Sequence, residues 1–228
     1  MFHYNNLEYG YIHFHHRNII RFCDRPFKKE CVDCDGVNLR TEKNSHDYHY
    51  KPKCLSCADY GYVADVEDMN EGLIENWNSI IGKNDQVYCL GDFAFCDKNK
   101  TSELVRKLNG HIHWIYGNHD EHIRGAKGFA SHNDIKVVKH MLGDKKYSFF
   151  LCHYPCLSWR KSHEGAIHVH GHCHGTLPDD GVALRFDVGV DVWGYKPVSF
   201  NTIIEMAEKR KKSNLERFGM EIVPVDHH

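Results

Sequence analysis

Residues 111–120 read HIHWIYGNHD, an apolar strand pattern that leads directly into Gly-Asn-His-Asp at 117–120. Four other segments have the same form, in which a short apolar run ends in Gly, His or Asp. They are 8–14 (EYGYIHF), 86–92 (QVYCLGD), 147–155 (YSFFLCHYP) and 166–175 (AIHVHGHCHG). Loops at the carboxyl ends of strands in layered α/β proteins converge on one edge of the sheet. We therefore expect the polar residues of all five segments to meet.

The remainder of the chain alternates strand and helix patterns, which predicts an α/β fold. Further strands are predicted at 135–140 and 184–190. The clearest helix is predicted at 66–81, with Asp65 as its N-cap and Gly82 as its stop. Two more helices are predicted, one following Thr101 and one starting near Ser199.

Length and composition indicate one ordinary domain, 1–228, that carries a small insertion. The chain has 228 residues, 41% of them hydrophobic and 26% charged, and no apolar run approaches the ~18 residues of a membrane span. The first residues lack the basic and apolar regions of a signal peptide, so we expect a cytoplasmic protein. A formal charge of -2 gives no general attraction to nucleic acid, although it leaves room for a local basic patch.

Residues 29–65 interrupt the pattern with a polar segment that contains two CxxC pairs. Cys31 and Cys34 form the first pair, Cys54 and Cys57 the second, and 19 residues separate them. This spacing predicts a zinc-ribbon-like insertion in which four thiolates hold one structural zinc ion. So small a segment has little core, so metal binding would supply its folding energy. The alternatives are a redox CxxC pair, or His46 or His49 in place of one cysteine.

The five strand ends carry residue types that suit a pair of divalent cations. Imidazoles and carboxylates bind zinc, manganese or iron, and one carboxylate can bridge two ions. Asp92 or Asn118 alone would indicate only a turn, so the combination carries the prediction. The chain has 20 histidines, and most should be structural. In the alternating set at 168–174, we expect His172 and His174 to be ligands because they follow Gly171. We expect His168 and His170 to be structural or to support the ligands from behind.

The motifs resemble those of the calcineurin-like metallophosphoesterases. Gly91-Asp92, Gly117-Asn118-His119-Asp120, His153 and Gly171-His172-Cys173-His174 occur in the order and approximate spacing of that superfamily. The resemblance covers most of the chain and is greatest to small bacterial and phage members, in which a segment similar to residues 16–27 follows the first motif. It implies a four-layer α/β/β/α sandwich with a dinuclear site at the sheet edge.

Carried over by position, the resemblance implies a role for each motif residue. Asp92 would bridge two ions of Mn, Fe or Zn, with His13 and His174 on the first ion and Asn118, His153 and His172 on the second. His119 would donate a proton to the leaving oxygen, and Asp120 would orient it. Two further residues, His16 and Arg160, are candidates for contact with the substrate phosphate.

The expected activity is hydrolysis of a phosphodiester or phosphomonoester, in a small phosphorylated substrate or nucleotide, by metal-activated hydroxide. One position departs from the family pattern, because Tyr11 stands where the opening motif has an aspartate two residues before the histidine. Tyr11 could ligate as a phenolate, water could replace the carboxylate, or the protein could be a one-metal or inactive relative. One alternative is therefore a catalytically impaired binding module that acts through its zinc ribbon, and another is a nuclease guided by that ribbon.

Overall fold

The chain forms two compact units, seen in a computed structural model that describes residues 7–10, 13–36, 54, 56, 60 and 62–219. One unit comprises Met1–Phe14 and Gly72–His228, and the other comprises His15–Glu71. The predicted insertion, 29–65, falls within the second unit, and its boundaries stay a prediction because most of its residues lie outside the described ranges.

In the described residues, helices are interspersed with strands as far as residue 107, and seven strands then follow before the last helix. The strands are β1 (Leu7–Gly10), β2 (Lys28–Glu30), β3 (Tyr62–Ala64), β4 (Gln86–Cys89), β5 (His111–Ile115), β6 (Ser131–Asn133), β7 (Ile135–Leu142), β8 (Lys145–Cys152), β9 (Ile167–His170), β10 (Arg185–Asp187) and β11 (Val198–Ser199). The helices are α1 (Arg17–Phe22), α2 (Val66–Ile80), α3 (Lys98–Lys107) and α4 (Phe200–Phe218). Even α4, the longest of these helices, is too polar to cross a bilayer, and no other described helix qualifies.

The first unit contains a five-stranded sheet in the order β11-β1-β4-β5-β6. Strands β1, β4, β5 and β6 are parallel, while β11 pairs antiparallel with β1. Gly10 pairs with Cys89, and Cys89 pairs with Trp114. Because the parallel strands stay in this register, β1, β4 and β5 end at one edge of the sheet, as the sequence predicts.

A four-stranded sheet of the same unit has the order β10-β9-β8-β7. Strands β7 and β8 form an antiparallel hairpin from Ile135↔Cys152 to Leu142↔Lys145, and β8, β9 and β10 run parallel. The predicted strand at 184–190 is shorter than expected. It ends at Asp187 and continues into a 3-10 turn, Val190–Val192.

The two sheets share one hydrophobic core. Tyr88, Leu90 and Ile115 of the first sheet belong to the same buried cluster as Phe149, Leu151 and Val169 of the second and as Phe200, Ile203 and Ile204 of α4. The rings of Phe149 and Phe200 meet edge to face with centroids 4.6 Å apart. Full burial of such a side chain is worth about 1.5–3 kcal/mol, so this shared cluster fixes how the sheets lie against each other.

Helices α2 and α4 start at the predicted caps, and α3 starts earlier than predicted. Ser199 caps α4 by accepting from the Thr202 amide at 3.0 Å, and Asp65 accepts from the Asp68 amide at 3.3 Å at the start of α2. Helix α3 begins at Lys98 rather than after Thr101. Asp97 supplies the cap, since its carboxylate accepts from the amides of residues 99 and 100.

The second unit contains α1 and the antiparallel pair β2–β3, in register from Lys28↔Ala64 to Glu30↔Tyr62. Lys29 forms an ion pair with Asp65 at 2.6 Å. Cys31 and Cys54 are buried beside the half-buried Cys34 and Val63. Cys57, the fourth predicted zinc ligand, lies outside the described residues.

Candidate metal centres

The predicted loops converge at the carboxyl ends of the parallel strands. The His13 amide donates to the Asp92 carbonyl at 3.0 Å, which joins the loop after β1 to the loop after β4. Two glycines allow the β4 and β5 loops to touch. A Cβ on Gly91 would lie 2.6 Å from the Gly117 Cα and 2.5 Å from His153 Nδ1, closer than real Cβ atoms come. Glycine is therefore required beside the site.

A buried carboxylate holds these loops in place. Asp120 is fully buried and accepts from the amides of Asp92 (2.8 Å), Phe93 (2.9 Å) and Gly117 (2.7 Å) and from the Trp114 indole (3.1 Å). Burial raises the pKa of this carboxyl to about 6. Three of the four donors are backbone amides of the loops, so Asp120 organises the backbone of the site instead of orienting His119 as predicted.

Asp92 is held by the neighbouring loop. The His119 amide donates to Asp92 Oδ1 at 2.9 Å, and Oδ2 lies 3.6 Å from His153 Nε2. Asp92 Oδ2 is thus directed toward the histidines that the sequence predicts as ligands. The His119 ring lies beside the Phe95 ring, with centroids 5.0 Å apart.

Three polar side-chain atoms lie within 3.2 Å of one another beside Asp92. His153 Nε2 lies 2.9 Å from Asn118 Oδ1 and 3.2 Å from His172 Nδ1, and the latter two atoms are 3.0 Å apart. Ligand atoms held at about 2.1 Å from one cation, at right angles, lie about 3.0 Å apart. Atoms of Asp92, His153 and His172 also form a group within 4.8 Å of one another. The donor set fits a divalent cation.

The protonation of His153 favours the same interpretation. His153 Nδ1 lies 2.7 Å from the Leu90 carbonyl, which can only accept, so Nδ1 carries the proton. Burial lowers the pKa of His153, and the nearby Asp92 charge opposes this shift only in part. Neutral His153 therefore directs the Nε2 lone pair toward the oxygen of Asn118. A cation bound by both groups would satisfy these two acceptors at once.

His13 and His174 form the other half of the site. Their rings stack with centroids 4.9 Å apart, and His13 Nε2 lies 3.9 Å from Asp92 Oδ2. His174 Nδ1 lies 2.8 Å from Asp191, a mostly buried carboxylate that the sequence reasoning missed. A carboxylate behind a histidine is the usual support of a metal-ligating imidazole. Tyr11, the residue that departs from the family pattern, lies outside the described residues.

Four of the predicted ligands have left-handed backbone conformations. Their φ angles are 59° at His13, 46° at Asp92, 67° at His172 and 49° at His174. Only nine non-glycine residues among those described have positive φ. Such conformations cost of order 1–3 kcal/mol each in L-residues and cluster at functional sites.

Of the two predicted substrate contacts, Arg160 lies away from this cluster. Arg160 lines a groove with the first residues of β8, whereas His153 follows the last residue of that strand, so Arg160 does not join the cluster. His16 precedes α1 in the second unit. His168 is fully buried, as expected of a structural residue. It accepts from the Cys156 amide at 3.0 Å, and burial lowers its pKa to about 4.

Three cysteines of the second unit form a further cluster. Sulfur atoms of Cys31, Cys34 and Cys54 all lie within 4.8 Å of one another, and Cys31 Sγ is 3.7 Å from Cys54 Sγ. Thiolates on tetrahedral zinc, with Zn–S bonds of about 2.3 Å, lie about 3.8 Å apart, whereas a disulfide requires about 2.05 Å. The geometry of Cys31, Cys34 and Cys54 therefore fits a zinc site.

Comparison with known proteins places the chain in a family. No protein-family model matches it. It is 32% identical over 207 residues to uncharacterized protein MJ1445 of Methanocaldococcus jannaschii. The aligned region covers 87% of this chain and 89% of that protein. The chain belongs to the MJ1445 family.

The MJ1445-family chain also resembles a phage protein and a solved structure. It is 26% identical over 168 residues to the gene 66 protein of Mycobacterium phage L5, covering 57% of this chain and 77% of that protein. The crystal structure of AQ665 from Aquifex aeolicus, a protein of unknown function, matches 89% of this chain and 99% of its own, with a TM-score of 0.54. At 21% identity this likeness concerns the fold alone.

Proposed function

We propose that this MJ1445-family protein is a metal-dependent phosphoesterase of the calcineurin-like type, acting on a phosphodiester or phosphomonoester. The observation that carries the proposal is the convergence of His153 Nε2, His172 Nδ1 and Asn118 Oδ1 at 2.9–3.2 Å beside Asp92. The shared core of two sheets supports the finer assignment, a four-layer sandwich with this site at its edge.

The chain offers ligands for two ions. Asn118, His153 and His172 would hold one ion, His13 and His174 the other, and Asp92 would bridge them. When bound, such ions polarise phosphoryl oxygens and lower the pKa of water toward neutrality. The imidazole and carboxylate donors suit Mn, Fe or Zn.

The residues around the ligands have distinct tasks in this reaction. The Leu90 carbonyl holds the proton of His153 on Nδ1, which leaves Nε2 as the donor atom. The His119 amide keeps the Asp92 carboxylate in place through Oδ1. The His119 imidazole is assigned the proton transfer to the leaving oxygen, at the open side of the site, because the residue is exposed there while the ligands His13, Asp92 and His153 are buried.

The proposal is tested by measuring metal content and turnover in parallel. Wild-type protein loaded with Mn, Fe or Zn should cleave bis-p-nitrophenyl phosphate or p-nitrophenyl phosphate. His172→Ala should lose the ion of its half of the site and at least ~10³-fold in kcat/KM. His119→Ala should keep both ions and lose about 10²–10⁴-fold in kcat. His111→Ala, a change of the same kind at an exposed position on β5, is the control and should match the wild type.

Two results would contradict the proposal. Equal metal content in the wild type and Asp92→Asn would remove the site assignment. Absence of turnover in the wild type with every metal, together with turnover in Tyr11→Asp, would favour the catalytically impaired relative over the enzyme.

A further inference from the structure

We propose that a basic groove on the four-stranded sheet, remote from the metal cluster, binds the phosphate backbone of a single-stranded nucleic acid. The groove is a cavity of about 620 Å³ in the first unit. Six cationic side chains line it: Lys139, Lys145, Lys146, Arg160, Lys161 and Lys211. Its one acidic lining residue is Glu164. Since the whole chain has a formal charge of -2, positive charge is concentrated at this place.

Three of these cations are bound by two carboxylates. Lys145 and Lys211 share Glu208, at 2.8 and 3.2 Å, and Lys161 pairs with Glu164 at 2.6 Å. These pairs are partly exposed and contribute little to stability. Glu208 neutralises only one of the two ammonium groups that it contacts. The three paired cations therefore keep an excess of one positive charge over the two carboxylates.

The other three cations are available to a ligand. Within the described residues, Lys139, Lys146 and Arg160 form no ion pair or hydrogen bond through their side chains. Lys139 pairs with Ser148 in the β7–β8 ladder, so Lys146 is its diagonal neighbour on the same face of the hairpin. Such neighbours lie about 7–8 Å apart. Three unpaired positive charges exceed the charge of one phosphate group, so an anion that repeats along a strand neutralises them better.

The groove and the metal cluster are separate sites. Strand β8 starts at Lys145, in the groove, and ends at Cys152, directly before His153. Seven residue steps at about 3.3 Å separate the ends of β8 by roughly 23 Å, and Ser148, the lining residue of β8 that is nearest to His153, lies five steps or roughly 16 Å from it. The interaction of Arg160 with phosphate that the sequence suggested is thus assigned to the groove, and binding there does not depend on the proposed phosphoesterase activity.

A positively charged groove that follows the backbone is the usual means of holding single strands without regard to sequence. Tyr147, the aromatic residue of the lining, is mostly buried, so base stacking contributes little here. Affinity should therefore come from counterion release. Each phosphate contact then adds about 0.7 to the slope of log K against log salt concentration for a single strand.

The test is fluorescence anisotropy with a fluorescein-labelled single-stranded oligonucleotide, measured at several NaCl concentrations. Lys139→Gln, Lys146→Gln and Arg160→Gln are combined in one variant, which removes the three available cations. Its salt slope should be lower by about two, and its affinity at 0.1 M salt should be lower by roughly ten- to one-hundred-fold. The control combines Lys83→Gln, Lys107→Gln and Lys212→Gln, which remove the same charge at exposed positions outside the groove. It should bind within about twofold of the wild type.

Two more measurements distinguish binding in the groove from binding at the metal cluster and from a loss of folded protein. Asp92→Asn should bind the oligonucleotide like the wild type, because the metal cluster is not involved. Unfolding curves of the triple variants should match the wild type, since all six positions are at the surface or on the groove wall. An equal loss in the groove and control variants, absent oligonucleotide binding by the wild type, or binding only to phosphatidylserine vesicles would each overturn the proposal.

Discussion

Replacing Asp120 by alanine should destabilise the first unit strongly. The carboxylate accepts four hydrogen bonds, from the amides of Asp92, Phe93 and Gly117 and from the Trp114 indole. Alanine would leave these buried donors without an acceptor, at about 1–3 kcal/mol for each donor that water cannot reach. The same change removes a buried charge whose burial raises the pKa to about 6, which offsets part of the loss. We expect a net loss of about 3–5 kcal/mol.

The loss can be measured by urea unfolding, followed through tryptophan fluorescence because Trp114 contacts the altered residue. A loss of this size lowers Tm by roughly 10–15 °C in a protein of this length. Asp120→Asn should lose less, about 1–3 kcal/mol. Its carbonyl can occupy the position of Oδ2 and keep three donors, while its amide faces the Phe93 amide.

Asp97→Ala provides the comparison, because Asp97 also accepts two backbone amides but lies at an exposed helix start. All proteins are measured with the same zinc concentration. Asp120→Ala should be clearly less stable than Asp97→Ala. Equal stability of these two variants would refute the view that Asp120 organises the loops of the site.

Three further predictions concern pH and metal binding. Between about pH 6.5 and 4 His168 is protonated in the unfolded chain but neutral in the folded chain, because burial lowers the pKa of His168 to about 4 in the folded state. Stability present above pH 6.5 should therefore fall by about 3 kcal/mol toward pH 4, and His168→Gln should flatten this part of the curve of urea midpoint against pH. Cys34→Ser should remove one zinc per chain in metal analysis and expose the second unit to proteolysis, leaving tryptophan fluorescence of the first unit unchanged. Asp191→Asn should weaken binding at one of two Mn sites about 10–100-fold in calorimetric titration, and two unchanged sites would contradict its support of His174.

Much of the fold was predictable because its signals are local. The apolar runs at 86–92, 111–120, 147–155 and 166–175 each contain a strand that is followed by its polar loop. Strands of two or three residues, such as β6 and β11, were not predicted. Their pairing depends on neighbours that are distant in sequence, and so short a segment has no periodicity of its own.

The sequence predicted which residues come together at the site better than it predicted what each side chain contacts there. The strand-end rule brings together Asp92, Asn118, His153 and His172, since it depends only on where parallel strands end. It gives no information on which way a loop side chain turns. Asp120 turns inward onto backbone amides, and Asp191 reaches His174 from a 3-10 turn that follows β10. Both contacts are set by tertiary packing, which spacing along the chain does not reveal.

Backbone conformation adds an independent reason to regard these residues as functional. At His13, Asp92, His172 and His174 the chain has the left-handed conformation that glycine adopts most readily. A loop selected only for stability would most often have glycine at such positions, because L-residues cost of order 1–3 kcal/mol there, and asparagine, aspartate and histidine are the side chains that tolerate it best. The chain instead has an imidazole or carboxylate at all four, beside Gly91, where it does use glycine at φ 92°. Retaining these side chains next to a relaxed glycine follows from a requirement for them, and metal binding by His153, Asn118 and His172, as proposed, would supply that requirement.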